Sequence, residues 1–305
     1  MLFTNHHPQK MSQEKTPTVV SVINLKGGVG KTTLVALLAR RASDIGLDVL
    51  AVDLDPQANL SQALLQMEYK QIVDPHDPSP SIVELFKGFA PASKGKPGPT
   101  ALKTSDVVRA VRHRSAGHGQ LDILPSRFDF SDNLIDSVRV DQTVLARFIS
   151  TEMAHKNLVL IDCAPTESIL TKTAYHASRY IFVPVRPELF STIGFPLMKE
   201  SLDKFRDDNR GNMIEVKGVL VNHTDYGTGP HHSEALADIR DYASRYEWPM
   251  LQNEMSYSRG YPKYMASDYP SYPGNAAHEW RKVCDEILQS LGFSDQSMPH
   301  ETDAT

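Results

Sequence analysis

Residues 26–33 read Lys-Gly-Gly-Val-Gly-Lys-Thr-Thr, and they follow directly on an apolar, β-branched run, Val19 to Leu25. Such a run predicts a buried strand. The glycines predict a tight turn, and the second lysine the start of a helix. Glycine lets the backbone curl until successive N–H groups point inward at an anion, and the helix N-terminus adds its partial positive charge. The expectation is a loop that cradles phosphate, built from Gly27, Gly28, Val29, Gly30, Lys31, Thr32 and Thr33. In it Lys31 reaches the β- and γ-phosphates and the Thr32 hydroxyl ligates Mg²⁺. The common G-x-x-x-x-G-K-[ST] form is not met, because Leu25 stands where its first glycine would be. A bare Gly-x-Gly would read as a plain turn. The strand before it and the helix after it decide for nucleoside triphosphate. Lys26 is then surplus: Lys31 already supplies the loop lysine, and Lys26 has no evident task in its own subunit.

Two further strands end in acid. Leu47 to Asp53 is a buried-strand pattern that runs on into Leu54-Asp55-Pro56-Gln57-Ala58-Asn59, and Asn157 to Asp162 is another, followed by Cys163-Ala164-Pro165. At the carboxyl edge of a parallel sheet such acids arrive where ligands bind. Asp162 suits holding Mg²⁺ through water, Asp53 is a further metal candidate, and Asp55 suits positioning an attacking water. Singly, each acid could be a cap or a turn former; three segments in this order argue for the site.

With these motifs in hand, the chain resembles the ParA-type partition ATPases of the ParA/MinD class, which carry a deviant Walker A loop. Residues 26–33 match that loop. Residues 53–59 match the segment after the second strand, with Ala58 where the family more often has glycine. Leu158 to Pro165 match Walker B, with Ala164 in place of the usual first proline, and Val183-Pro184-Val185-Arg186-Pro187-Glu188 also fits. The resemblance runs from about Val19 to Leu291. It implies an ATP- and Mg²⁺-dependent ATPase, weak alone and stimulated by a ParB-like activator. It implies a homodimer that sandwiches ATP, with Lys26 crossing to the partner's nucleotide. It also implies non-specific DNA binding, and adenine contact by Asn222, whose alternative is a strand-end turn residue.

The 305 residues, 40% of them hydrophobic, suffice for a single large α/β core. Strands alternating with helices predict a mostly parallel, twisted sheet covered by helices on both faces, a P-loop NTPase fold. The expected organisation is a polar arm over 1–17, one ATPase domain over 18–292 with a proline-rich excursion at 70–103, and an acidic tail over 293–305. No run approaches the roughly 18 apolar residues of a membrane span, and residues 1–17 lack a signal peptide's apolar stretch. Two cysteines, Cys163 and Cys284, fit a reducing cytoplasm rather than a disulfide or iron–sulfur protein. The net charge of −5 neither demands nor forbids nucleic acid.

Helices are expected at Thr32–Ile45 (stopped by Gly46), Ser81–Phe89, Thr104–His113, Val140–Met153, Thr192–Asp208, Ser233–Tyr246 and Asn275–Leu291. Further strands are expected at Leu121–Pro125, Tyr180–Pro184 and Glu215–Val221. The last helix separates two branches of the class. A membrane anchor of the MinD kind should be basic on its polar face; here Glu279, Asp285 and Glu286 oppose Arg281 and Lys282. A core-packing helix, and no membrane partner, is the better reading. For DNA, Arg259 and Lys263, in a tyrosine-rich loop over 257–272, are preferred as phosphate contacts, with Arg281 and Lys282 beside them. Lys103, Arg109, Arg112 and Arg114 are lesser candidates. His231 and His232 read as part of a loop. The rivals are a MinD-like membrane regulator, a P-loop amidase or synthetase, and a scaffold that binds ATP without turning it over. Location is expected in the cytoplasm, on the nucleoid.

Overall fold

Strand β1 (Thr18–Val22) leads into the loop, and helix α1 (Lys31–Asp44) leaves it. A computed structural model describes residues 16–74, 76, 79–88, 104–128, 130, 141–188, 190–223, 230–266 and 275–293. Then come β2 (Val49–Leu54), α2 (Asn59–Leu65), α3 (Tyr69–Ile72), α4 (Ile82–Gly88), α5 (Thr104–Val107), β3 (Arg109–Arg112), β4 (Leu121–Leu124) and α6 (Val144–Glu152). The chain closes with β5 (Leu158–Cys163), α7 (Ile169–Ala177), β6 (Tyr180–Val185), α8 (Gly194–Asp208), β7 (Glu215–Val221), α9 (Pro230–Arg245), α10 (Tyr261–Ala266) and α11 (Asn275–Ser290). The strands form one seven-stranded sheet in the order β3-β4-β2-β5-β1-β6-β7. Every pairing is parallel except β3 with β4.

The sequence pattern explains the layers. Successive residues of a strand face opposite sides. Along β2, Leu50 and Val52 enter one apolar cluster, and Val49 and Ala51 the other. The first cluster lies under α6 to α9 and the second under α1 to α3, α10 and α11. Such two-sided burial is why these strands read as continuous apolar runs. Helix α1 ends as Gly46 predicts. That residue has φ +90°, its N–H donates to Ser43, and the Leu47 N–H donates to Ala42, a Schellman closure.

Helix α11 is a core helix, as its charge pattern suggested. Trp280, Val283, Cys284, Ile287 and Leu288 are buried. Its acids are tied inward: Asp285 pairs with Arg41 of α1 at 2.6 Å, and Glu286 accepts from the Gln252 and Asn253 backbone. Among the described residues no helix is long and apolar enough to cross a membrane.

Three local expectations fail. Thr104–His113 is not one helix: α5 stops at Val107, and Arg109–Arg112 is an antiparallel edge strand. No residue of Arg109–Arg112 is buried, and charged residues suit an exposed edge. The segment over 257–272 is not wholly loop. It contains α10, whose Tyr261 and Met265 are buried in the second cluster. His231 and His232 fall in the first turn of α9. The arm (except 16 and 17), the tail beyond 293 and most of the 70–103 excursion lie outside the described residues.

Candidate nucleotide and metal site

The loop between β1 and α1 sits at the carboxyl edge of the sheet, next to the ends of β5 and β2. Val22 is level with Asp162, and Asp162 with Asp53. Gly28 (φ +73°) and Gly30 (φ +95°) take left-handed backbone that a side chain resists. Gly30 is confined as well as turned, since a Cβ there would lie 2.2 Å from Asn222 Nδ2. That amide donates to the Val29 carbonyl at 2.9 Å, and its Oδ1 accepts from the His223 N–H. Asn222 is 2% exposed. In this state it stands beneath the loop as a prop for its curl.

Asn24 is a second prop. Its side-chain amide donates to the Pro184 carbonyl at 2.8 Å, and its Oδ1 accepts from the Lys26 N–H at 2.9 Å. The loop's entry is thereby fastened to β6. The sequence reading passed over Asn24; its signal was a polar residue inside an apolar run.

The two lysines part company. Lys31 is buried, and its Nζ donates to the Lys26 carbonyl across the loop at 3.1 Å. Burial lowers its pKa, while Asp162, Cys163 and Asp55 pull it back up. Lys26 stands at the rim, its Nζ 2.9 Å from Glu188 Oε1. Arg186 lies 3.7 Å from the same carboxylate's other oxygen. Burial raises the Glu188 pKa, but Lys26 and Arg186 outweigh that and bring it below the usual carboxylate value.

Thr32 and Asp162 are joined: the threonine hydroxyl donates to Asp162 Oδ2 at 2.6 Å. The other oxygen, Oδ1, is buried with no hydrogen-bond partner. Burial raises the Asp162 pKa well above the ordinary value, and the neighbouring Asp53 raises it further. An acid in that position calls for a cation. Among the described residues no group of three or more His, Cys, Asp or Glu could cage a metal. Mg²⁺ typically takes one or two protein ligands, with water and phosphate oxygens completing its octahedron. Thr32 and Asp162 fit that role.

Both oxygens of Asp53 are engaged. One oxygen accepts from the Asp55 N–H and the other from the Ser61 N–H and hydroxyl. Burial pushes its pKa up to about 7 against those hydrogen bonds. Ser61 Oγ also accepts from the Ser126 N–H, which links the segment to β4. Asp53 is thus the anchor that fixes residues 55–61. Asp55 stands at the head of that segment, 8% exposed, with Oδ1 accepting from the Gln57 N–H. Ala58 (φ +53°) holds left-handed backbone there, which gives the physical reason that glycine would suit its place.

The remaining candidates lie elsewhere. Arg259, Lys263, Arg281 and Lys282 are exposed, and the Arg281 guanidinium also covers the Trp280 ring at 5.5 Å. The lesser basic candidates are engaged: Arg109 with backbone carbonyls, Arg112 with Asp44, Arg114 with Asp48. Lys103 lies outside the described residues.

A profile of the AAA domain family (AAA_31) matches residues 17–215. The chain belongs to this family. It is a P-loop ATPase of the ParA type. A virulence plasmid ParA family protein of Chlamydia psittaci is 27% identical over 285 residues, 92% of this chain and 97% of that one. The chromosome partitioning protein ParA of Caulobacter vibrioides is 28% identical over 227 residues, 73% and 75% of the two chains. A Mycobacterium tuberculosis relative is 29% identical over 221 residues, and the match spans 62% of its length. Among solved structures, an ATP complex of Cyanothece McdA superposes with TM-score 0.73 at 17% identity, covering 93% of this chain and 100% of that one. Cobyrinic acid a,c-diamide synthase of Mycobacterium smegmatis, with bound ATP analog and magnesium, gives 0.67 at 23%, covering 94% and 100%. Both share the fold of this ParA-type chain.

Proposed function

We propose that this chain hydrolyses ATP with Mg²⁺ and closes on ATP into a face-to-face homodimer. In that state it holds DNA without sequence preference, and so it partitions or positions a cargo. A ParB-like activator on the cargo triggers hydrolysis and release. The supporting observation is the division between the two lysines. Lys31 fills the loop from within, while Lys26 stands at its rim in an ion pair whose side chains are 32% and 40% exposed. Exposed pairs of that kind are worth about 0.2–1 kcal/mol. An amine at the rim, unlike one inside the loop, is placed to reach a neighbour's triphosphate. The partition proteins among the relatives, and the ATP and magnesium of the structural neighbours, favour the same reading.

Each residue then has a task. The loop amides and Lys31 hold the β- and γ-phosphates. Thr32 and Asp162 hold Mg²⁺, directly and through water; the ion neutralises phosphate charge. Asp55 orients the attacking water. Lys26 of the partner stabilises charge on the transferred group. Phosphoryl transfer needs this positioning and electrostatic support more than covalent help. With Lys26 and an activator supplied from outside, the isolated chain turns over slowly. Asn222 buttresses the loop in this state, and it contacts adenine once nucleotide is bound. Arg259, Lys263, Arg281 and Lys282 contact DNA phosphates. The protein works in the cytoplasm, on the nucleoid.

Sedimentation velocity with a non-hydrolysable ATP analogue tests the reading. The native chain should double in mass, and Lys26→Gln should bind nucleotide yet stay single. A dimer in that variant, or an undoubled native chain at saturation, overturns the cross-subunit role. The shared fold with the diamide synthase favours one rival, an ATP-dependent amidase. The cleft of about 530 Å³ lined by Glu167, Lys172, Glu200 and Lys204 contains none of the nucleotide residues. ATP turnover driven by a small carboxylic acid and indifferent to DNA would support that rival.

A further inference from the structure

Helix α2 begins without a cap of its own. The first N–H groups of a helix have no partner inside it, and Ala58, at the head of α2, has no side-chain oxygen to offer. The acceptor comes from another element. Asp53, near the end of β2, accepts the Ser61 N–H at 2.8 Å and the Ser61 hydroxyl at 2.7 Å on Oδ2. The same carboxylate accepts the Asp55 N–H at 3.1 Å on Oδ1. One side chain thus fastens both ends of the segment 55–61.

The segment is held from within as well. The Asp55 carbonyl accepts from the Ala58 N–H at 2.9 Å, and Asp55 Oδ1 from the Gln57 N–H at 2.9 Å. Among the described residues Asp55 Oδ2 accepts no hydrogen bond. That oxygen is the one left to orient a water.

Ser61 is the junction of this network. It is wholly buried. Its hydroxyl donates to Asp53 and accepts from the Ser126 N–H at 2.8 Å, just beyond β4. Ser126 is wholly buried too, and the Pro125 carbonyl before it accepts from the Ile82 N–H of α4 at 2.9 Å. Packing alone asks only for a small residue at position 61. The two bonds ask for a hydroxyl, which can donate and accept at once. Ser61 therefore locks the Asp53 carboxylate to β4, and Asp53 in turn locks Asp55.

We infer that Ser61 is a positioning residue for ATP hydrolysis: through Asp53 it fixes where Asp55 stands when water attacks the γ-phosphate. The inference rests on the water-orienting task proposed for Asp55 and names the residue that sets its place. A displacement of about 1 Å at such a group is enough to slow a reaction about a hundredfold. Binding of the phosphates belongs to the loop after β1 and is not altered.

Single-turnover hydrolysis of ATP by the full chain, with protein in excess, tests this beside titration with a non-hydrolysable analogue. Ser61→Ala should turn over about ten- to a hundredfold more slowly, and no more slowly than Asp55→Ala. Its affinity for the analogue should stay within about threefold of native. Ser61→Thr keeps the hydroxyl and should recover turnover to within about threefold of native. In the Asp55→Ala background, Ser61→Ala should change the rate less than about twofold, since a residue that acts through Asp55 then has nothing to place. Melting curves establish that each protein is folded; if Ser61→Ala is not, the same comparisons are made with Ser61→Cys, whose thiol is a weaker donor. Losses that multiply in the double variant overturn the inference, because Ser61 then acts by another route. Native turnover in folded Ser61→Ala overturns it as well, and so does a fall in analogue affinity as large as the fall in rate. Each of these leaves the task of Asp55 standing. Native turnover in Asp55→Ala overturns that task and this inference together.

Discussion

Replacing Gly30 with alanine tests how the loop is held, because two separate costs are legible at that residue. Its backbone lies at φ +95°, ψ 22°, where a Cβ costs about 1–2 kcal/mol. The added Cβ would also fall 2.2 Å from Asn222 Nδ2, so that amide must withdraw. It then gives up its 2.9 Å bond to the Val29 carbonyl. Val29 is wholly buried, and a buried carbonyl left without a donor costs about 1–3 kcal/mol. Together these disfavour the loop's binding conformation by about 2–5 kcal/mol, a fall in nucleotide affinity of roughly thirtyfold to several thousandfold. Asn222→Ala alone incurs only the second cost, roughly five- to 150-fold. The double variant incurs that cost once, so it should bind about as the Gly30→Ala chain does, about 1–3 kcal/mol better than additivity requires. Titration with a fluorescent ATP analogue measures all four proteins, and melting curves establish that each is folded. Additive losses, or Gly30→Ala affinity within about threefold of native, would refute the argument that Asn222 props the loop.

Asp55→Ala should keep nucleotide affinity within a few-fold but lower ATP turnover by about tenfold or more, trapping a DNA-bound dimer; native turnover in a phosphate-release assay rules out water positioning. Ala58→Gly should change stability by less than about 1 kcal/mol, because relief of left-handed strain offsets the entropy of glycine and the loss of a buried methyl; a loss above about 2 kcal/mol in thermal melting contradicts the strain assigned to that φ. DNA affinity in the presence of ATP should fall steeply between low and moderate salt, and affinity indifferent to salt excludes phosphate contacts.

Much of this was readable along the chain. Residues 26–33 announce the loop because glycines, lysine and threonine act through local backbone geometry and the helix they begin. The strands ending at Asp53 and Asp162 announce the sheet because burial on both faces leaves apolar runs no other course. The polar face of α11 foretold a core helix, since its acids need partners that the fold supplies. Where the linear reading failed, at Arg109–Arg112 and Tyr261–Ala266, neighbours decided. An edge strand is made by the strand beside it, and α10 by the cluster that takes Tyr261 and Met265.

Roles within the site were divided in the same way. Residue types and order fix which groups bear chemistry, and that much belongs to the sequence. Only the tertiary structure set Asp53 to anchoring Ser61, Asn222 and Asn24 to propping the loop, and Lys26 against Glu188, since each of those contacts joins residues far apart in the chain or on different elements. A hydrogen bond or ion pair has no periodicity along the sequence; it exists where the sheet order and the packing of α8 bring two side chains within reach.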